Sequence, residues 1–154
     1  MNSNITKISN NEYLVYTDIV INAPAEKVWA VLTDFENMPS WSSTFQGVEG
    51  DMAEGAEITS IYKGLFGKEM RIDHPLVTYI EGEEFSWSSE VAMGIVDNHI
   101  FRVEKIDENT TKFVQTDQPH GGATRVLGHA VSKMFKSMYE TFNEELKERV
   151  ESLA

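Results

Sequence analysis

Residues 122–153 read GATRVLGHAVSKMFKSMYETFNEELKERVESL. Apolar side chains recur at Val126, Leu127, Ala130, Val131, Met134, Phe135, Met138, Tyr139, Phe142, Leu146, Val150 and Leu153. Spacings of three and four place such residues on one stripe of an α-helix, and no other segment is so periodic. A helix of this length spans roughly 45 Å at 1.5 Å per residue. Ordering it costs more conformational entropy than it recovers alone, so the rest of the chain must supply a surface that buries the stripe. The first half offers flexible Met134 and Met138 with small Ala130, which suits a cavity wall. The second half, from Phe142 through Leu146 and Val150, suits a packed core.

The surface comes from strands. Residues 13–21 are rich in β-branched and aromatic side chains and read as a first strand. Ala23-Pro24-Ala25-Glu26 then reads as a helix start, with Pro24 at the first helical position and Glu26 in the first turn. Val28, Trp29 and Leu32 give that short helix a buried face. A second helical turn over residues 34–41 ends near Pro39, because the residue before a proline avoids the α region. Strand patterns follow at 44–49, 56–62, 68–80, 83–90, 94–106 and 111–118, separated by turn residues such as Gly50-Asp51, Glu81-Gly82 and Asp107-Glu108-Asn109. Most alternate, so one sheet face is wet and the other buried. The pattern predicts an α+β domain over residues 12–154, with about seven antiparallel strands curled around the final helix and two short helices after strand one. Residues 1–11 read as a polar N-terminal tail.

At 154 residues the length suits one domain. Acidic side chains outnumber basic ones 25 to 13, a formal net charge of −12 that disfavours nucleic acid and anionic lipid surfaces as partners. The absence of cysteine excludes disulfides, thiolate metal sites and cysteine nucleophiles. No signal-like or membrane-spanning apolar run is visible, and a cytoplasmic protein without stable membrane association is the expectation.

Ile21-Asn22-Ala23-Pro24-Ala25-Glu26-Lys27-Val28-Trp29, followed by Leu32-Thr33-Asp34-Phe35 and Trp41, resembles the N-terminal signature of the START-like (SRPBCC) superfamily. That group is also called polyketide cyclase/dehydrase and lipid transport, or Bet v 1-like. The resemblance implies a helix-grip fold, with a pocket for hydrophobic ligands between the sheet and the long C-terminal helix. It covers structural helices rather than a reactive site, so it implies a cavity and not a reaction.

Strand parity gives a pocket wall independently. Tyr62, Met70, Phe85, Trp87, Phe101 and Phe113 share the inward face and oppose Met134 and Met138; each is equally readable as core. Trp41 is a further candidate, as pocket wall or as a plug between the short helices and the sheet. Among polar residues, Asp97 and His99 share the parity of Phe101, and Gln115 and Asp117 that of Phe113. Pairing Val103 with Phe113 sets His99 opposite Asp117, with Cβ atoms about 5 Å apart. A carboxylate there raises the imidazole pKa and fixes its tautomer, as in a general base. Two readings stay open: His99 and Asp117 as catalytic residues with Asp97 or Gln115 as a ligand anchor, or a structural hydrogen bond at the pocket rim. The four histidines lack familiar zinc spacings, so neither metal nor cofactor is expected. Leu65-Phe66, between glycines, reads either as a gate over the rim or as passive packing.

The leading expectation is therefore the binding, transport or sequestration of a small hydrophobic or amphipathic molecule, such as a lipid, polyketide or isoprenoid. A cyclase- or aromatase-type enzyme using His99 and Asp117 is the first alternative, and a co-chaperone-like interaction module the second. Oligomeric state is not legible from the sequence.

Overall fold

The computed structural model describes residues 1–64 and 67–153. Along the chain run β1 (Asn2–Ser9), β2 (Glu12–Ile21), α1 (Ala25–Leu32), a 3-10 turn (Met38–Ser40), β3 (Phe45–Glu49), β4 (Glu57–Lys63), β5 (Glu69–Ile80), β6 (Glu84–Ala92), β7 (Ile95–Asp107), β8 (Thr110–Asp117) and α2 (Thr124–Ser152). The strands form one antiparallel sheet in the order β1-β2-β8-β7-β6-β5-β4-β3. The helix-grip architecture expected from the sequence is therefore present, with eight strands where the pattern suggested about seven. The extra strand is the segment that reads as a polar tail. Asn2 to Ser9 pairs with β2 from Asn2↔Asp18 to Ser9↔Glu12, and the Asn2 amide side chain donates to Asp18 Oδ1 at 2.9 Å. As an edge strand exposed along most of its length it needs no apolar alternation, which is why its composition hides it.

Pro24 sits one residue earlier than expected, as the cap preceding α1. Val28, Trp29, Val31 and Leu32 of α1 bury against the main core, together with Met38 of the 3-10 turn. Aromatic side chains fill much of that core. Phe45 lies at its centre, with ring centroids 5.3 Å from Tyr62, 5.8 Å from Trp87, 5.5 Å from Phe101 and 5.8 Å from Phe142.

Helix α2 buries Thr124, Gly128, Ser132, Phe135, Tyr139, Phe142, Asn143, Leu146 and Val150. In its second half this is the expected stripe, and Phe142, Leu146 and Val150 join the core shared with α1. In the first half the buried face is turned away from the apolar residues. Val126 is 82% and Met134 50% exposed, whereas Thr124 and Ser132 are fully buried. Small residues let α2 approach the sheet closely here: a Cβ added to Gly128 would stand 2.7 Å from the Tyr13 ring. Close backbone approach fixes the face that points inward, so the first turns of α2 are clamped down on the sheet, and of the expected cavity wall only Met138 faces a cavity. Among the described residues, no helix is long and apolar enough to cross a membrane.

Candidate functional site

Strands β7 and β8 deliver polar side chains to the interior by simple alternation. Asp97, His99, Phe101 and Val103 are buried along β7, as are Phe113, Gln115 and Asp117 along β8. The register contains Val103↔Phe113 and Phe101↔Gln115, as the parity rule requires, and its pairing ends at Ile100↔Thr116, one step short of His99 and Asp117.

His99 and Asp117 bond to other partners than each other. His99 Nε2–H donates to Gln115 Oε1 at 2.9 Å, the Gln115 amide donates to Asn143 Oδ1 at 2.7 Å, and the Asn143 amide donates to Thr17 Oγ1 at 3.1 Å. This directional chain assigns the proton of neutral His99 to Nε2. The Tyr139 hydroxyl donates to Asp117 Oδ2, while Asp117 Oδ1 is buried without a partner. Asp97 Oδ1 accepts from the Ser89 backbone N–H at 2.9 Å and from its hydroxyl at 2.8 Å.

Electrostatics follow from burial. Desolvation, aided by repulsion from His74, lowers the His99 pKa to about 3 against the pull of its bond to Gln115. The expected rise from a paired carboxylate is thus reversed, because the carboxylate bonds to Tyr139 instead. Asp117 is held well above the usual carboxylate range, first by burial and then by the charge of Asp97. Burial also raises Asp97, opposed by its bonds to Ser89. Tyr62 and Tyr139 are both pushed up, by burial first and then by the neighbouring carboxylates.

Between this cluster and the aromatic core lies a cavity of about 10 Å³, lined by Thr44, Phe45, Tyr62, His99, Phe101, Gln115, Met138, Tyr139 and Phe142. That is room for about one water molecule. Of the residues expected to form a pocket, Tyr62, His99, Phe101, Gln115 and Met138 meet there. Phe85, Trp87 and Phe113 are fully buried in the packed core instead. Trp41 packs against Phe142 with ring centroids 5.5 Å apart and is not among the residues lining the cavity. Met70 is 47% exposed near the tip of the β4–β5 ribbon, folded over Gly64. Met134 faces outward on the clamped half of α2. Neither lines the cavity.

Sequence reasoning missed Thr44, Phe45 and Asn143, and took Tyr139 and Phe142 only as parts of a stripe. Asn143 had a signal: it lies four residues after Tyr139 and three before Leu146, a polar side chain at a buried helical position. Leu65-Phe66 lies outside the described residues. Among the described residues, no group of three or more His, Asp or Glu is placed to hold a metal ion.

Comparison with known structures agrees with the fold. A START superfamily protein from Mycobacterium smegmatis superposes with a TM-score of 0.70 at 18% identity, covering 92% of this chain and 99% of that one. Ara h 8.0201 gives 0.72 at 15% identity, with 92% and 99% covered. The di-domain ARO/CYC BexL from the BE-7585A biosynthetic pathway gives 0.72 at 16% identity, covering 90% of this chain and 46% of that longer one. At these identities the likeness speaks to fold. No protein of curated function matches the sequence significantly. The sequence profile described as polyketide cyclase / dehydrase and lipid transport matches residues 14–151, nearly the whole chain, and the protein belongs to that family.

Proposed function

We propose that the protein binds a small amphipathic molecule between the sheet and the middle of α2, with an apolar body against Phe45, Phe101 and Phe142 and a hydrogen-bonding end toward His99, Gln115 and Tyr139. The observation that carries this reading is the row of buried polar groups inside an aromatic core, ending in the unpartnered Asp117 Oδ1. An unsatisfied buried polar atom costs about 1–3 kcal/mol, a cost without return in a core built for stability alone.

The cavity holds only about 10 Å³, too little for an organic ligand. Admission then requires lining side chains to move, and the half-buried Met138, with three rotatable bonds, is the adaptable one. Family membership supports the same reading at the level of a hydrophobic-ligand fold. His99 as a general base is disfavoured, since a base with a pKa near 3 has little driving force to take a proton at neutral pH.

Native mass spectrometry of protein isolated from its own host tests the proposal. A retained small molecule is expected, and Met138→Trp, which fills the cavity, abolishes its retention. An empty protein that also stays empty when offered that host's lipid and aromatic extracts would contradict it.

A further inference from the structure

Asp97 and Asp117 are both buried, 7% and 0% exposed, and lie close enough for each to shift the titration of its surroundings. No lysine or arginine is buried among the described residues. The remaining titratable neighbours of the pair are Tyr62, Tyr139, neutral His99 and, beside Asp97, the half-buried His120. Asp97 is held by two bonds from Ser89; Asp117 takes the Tyr139 hydroxyl on Oδ2, and although the backbone N–H groups of Gln118 and Asn98 lie near its carboxyl, no side chain and no well-formed hydrogen bond reaches Oδ1. Buried carboxylates are ordinarily paired with a cation; His120 lies beside Asp97, but no lysine, arginine or histidine side chain bonds to Asp117. Asp117 stands at the next inward position after Gln115, and its partner Tyr139 lines the cavity with Gln115. The adjoining wall is aromatic: Tyr139 stacks on His99 at 4.4 Å, and Phe101 lies 4.1 Å from His99 on its β7 side. Such a wall supplies apolar contact for the body of a ligand.

Resting on the ligand-binding reading above, we propose that Asp117, backed by Asp97, recognises a protonated amine, so that the ligand is an aromatic or alkyl ammonium whose nitrogen docks on the free Oδ1 of Asp117. The body of such a ligand lies against the aromatic wall, and its N–H groups satisfy the oxygen that the fold leaves open. Burial, and after it the charge of Asp97, raises the Asp117 pKa, and a docked cation favours the carboxylate form, so cation binding is coupled to proton release. The net charge of −12 adds a long-range attraction for cations and none for acids.

The test compares two probes of one shape, 2-phenylethylamine and 2-phenylethanol, titrated into protein carrying 13C-methyl methionine. Both should move the Met138 methyl resonance. The amine should bind about tenfold or more tightly than the alcohol, a difference of about 1.4 kcal/mol. Its binding heat should change between buffers of different ionisation enthalpy, reporting proton release. Asp117→Asn should bring the amine-to-alcohol ratio to about one, with Asp97→Asn as a second variant expected to lower it should the first fail to fold. Equal binding of amine and alcohol overturns amine recognition and leaves the ligand site standing. An amine preference that survives Asp117→Asn also overturns it. If neither probe moves Met138, both readings fall.

Discussion

His99 shows how one residue's environment decides its chemistry. It is neutral in the folded state with a pKa lowered to about 3, against 6.5 in the unfolded chain. The stability it confers is therefore complete above pH 6.5 and is lost as pH falls toward 3, at about 1.4 kcal/mol per unit. Urea unfolding should show His99→Gln losing about 2 kcal/mol less than the parent between pH 7 and pH 5. Asp117 has the opposite sign. Its raised pKa means that the folded state retains a proton the unfolded chain gives up, so its cost grows as pH rises above 3.8 toward the folded value. Asp117→Asn should gain stability relative to the parent as pH rises through that window; a difference independent of pH would contradict the assignment. Strand parity made all four polar residues of β7 and β8 legible in the sequence. Their hydrogen-bond partners were not, because Tyr139 and Asn143 reach them from a helix more than twenty residues away in the chain.

At the scale of elements, the strand boundaries were legible because alternation and turn residues mark them directly. β1 was not, because an exposed edge strand has no buried face to advertise. Helix α2 was legible in position and only half legible in orientation. Val126, Ala130 and Met134 carry the right spacing, yet Thr124, Gly128 and Ser132 win the interior because small residues permit contact with β2. Gly128→Ala separates the two views. Helix propensity alone predicts a gain of up to about 1 kcal/mol, whereas the Tyr13 ring 2.7 Å from the new Cβ predicts a net loss, overpacking costing about 1–3 kcal/mol. Thermal unfolding should show a lowered Tm. The two ends of α2 should also differ in tolerance. Met134→Lys is expected to change stability by less than about 0.5 kcal/mol, and Leu146→Ala, at a fully buried position, to cost about 2–5 kcal/mol in chemical denaturation.

Across the whole molecule, the helix-grip fold sets a polar cluster and an aromatic core on either side of a cavity that holds about one water. The family resemblance in the sequence implied a cavity, but its volume depends on how far side chains from β3, β4, β7, β8 and α2 fill it, which no pattern along the chain encodes. Phe45 and Phe142 both line the cavity, with ring centroids 5.8 Å apart. On the proposed reading a ligand enters by displacing side chains at the seam, while the end anchored by α1, Leu146 and Val150 stays fixed. The methionines are placed to report this: Met138 lines the cavity, Met38 is buried in the anchored core, and Met70 and Met134 are exposed. Titration of 13C-methyl-methionine protein with a neutral aromatic probe such as 2-naphthol should shift Met138 saturably and leave Met70 and Met134 unmoved. Shifts confined to Met70 and Met134, or none at Met138 at saturating probe, would contradict an interior ligand site.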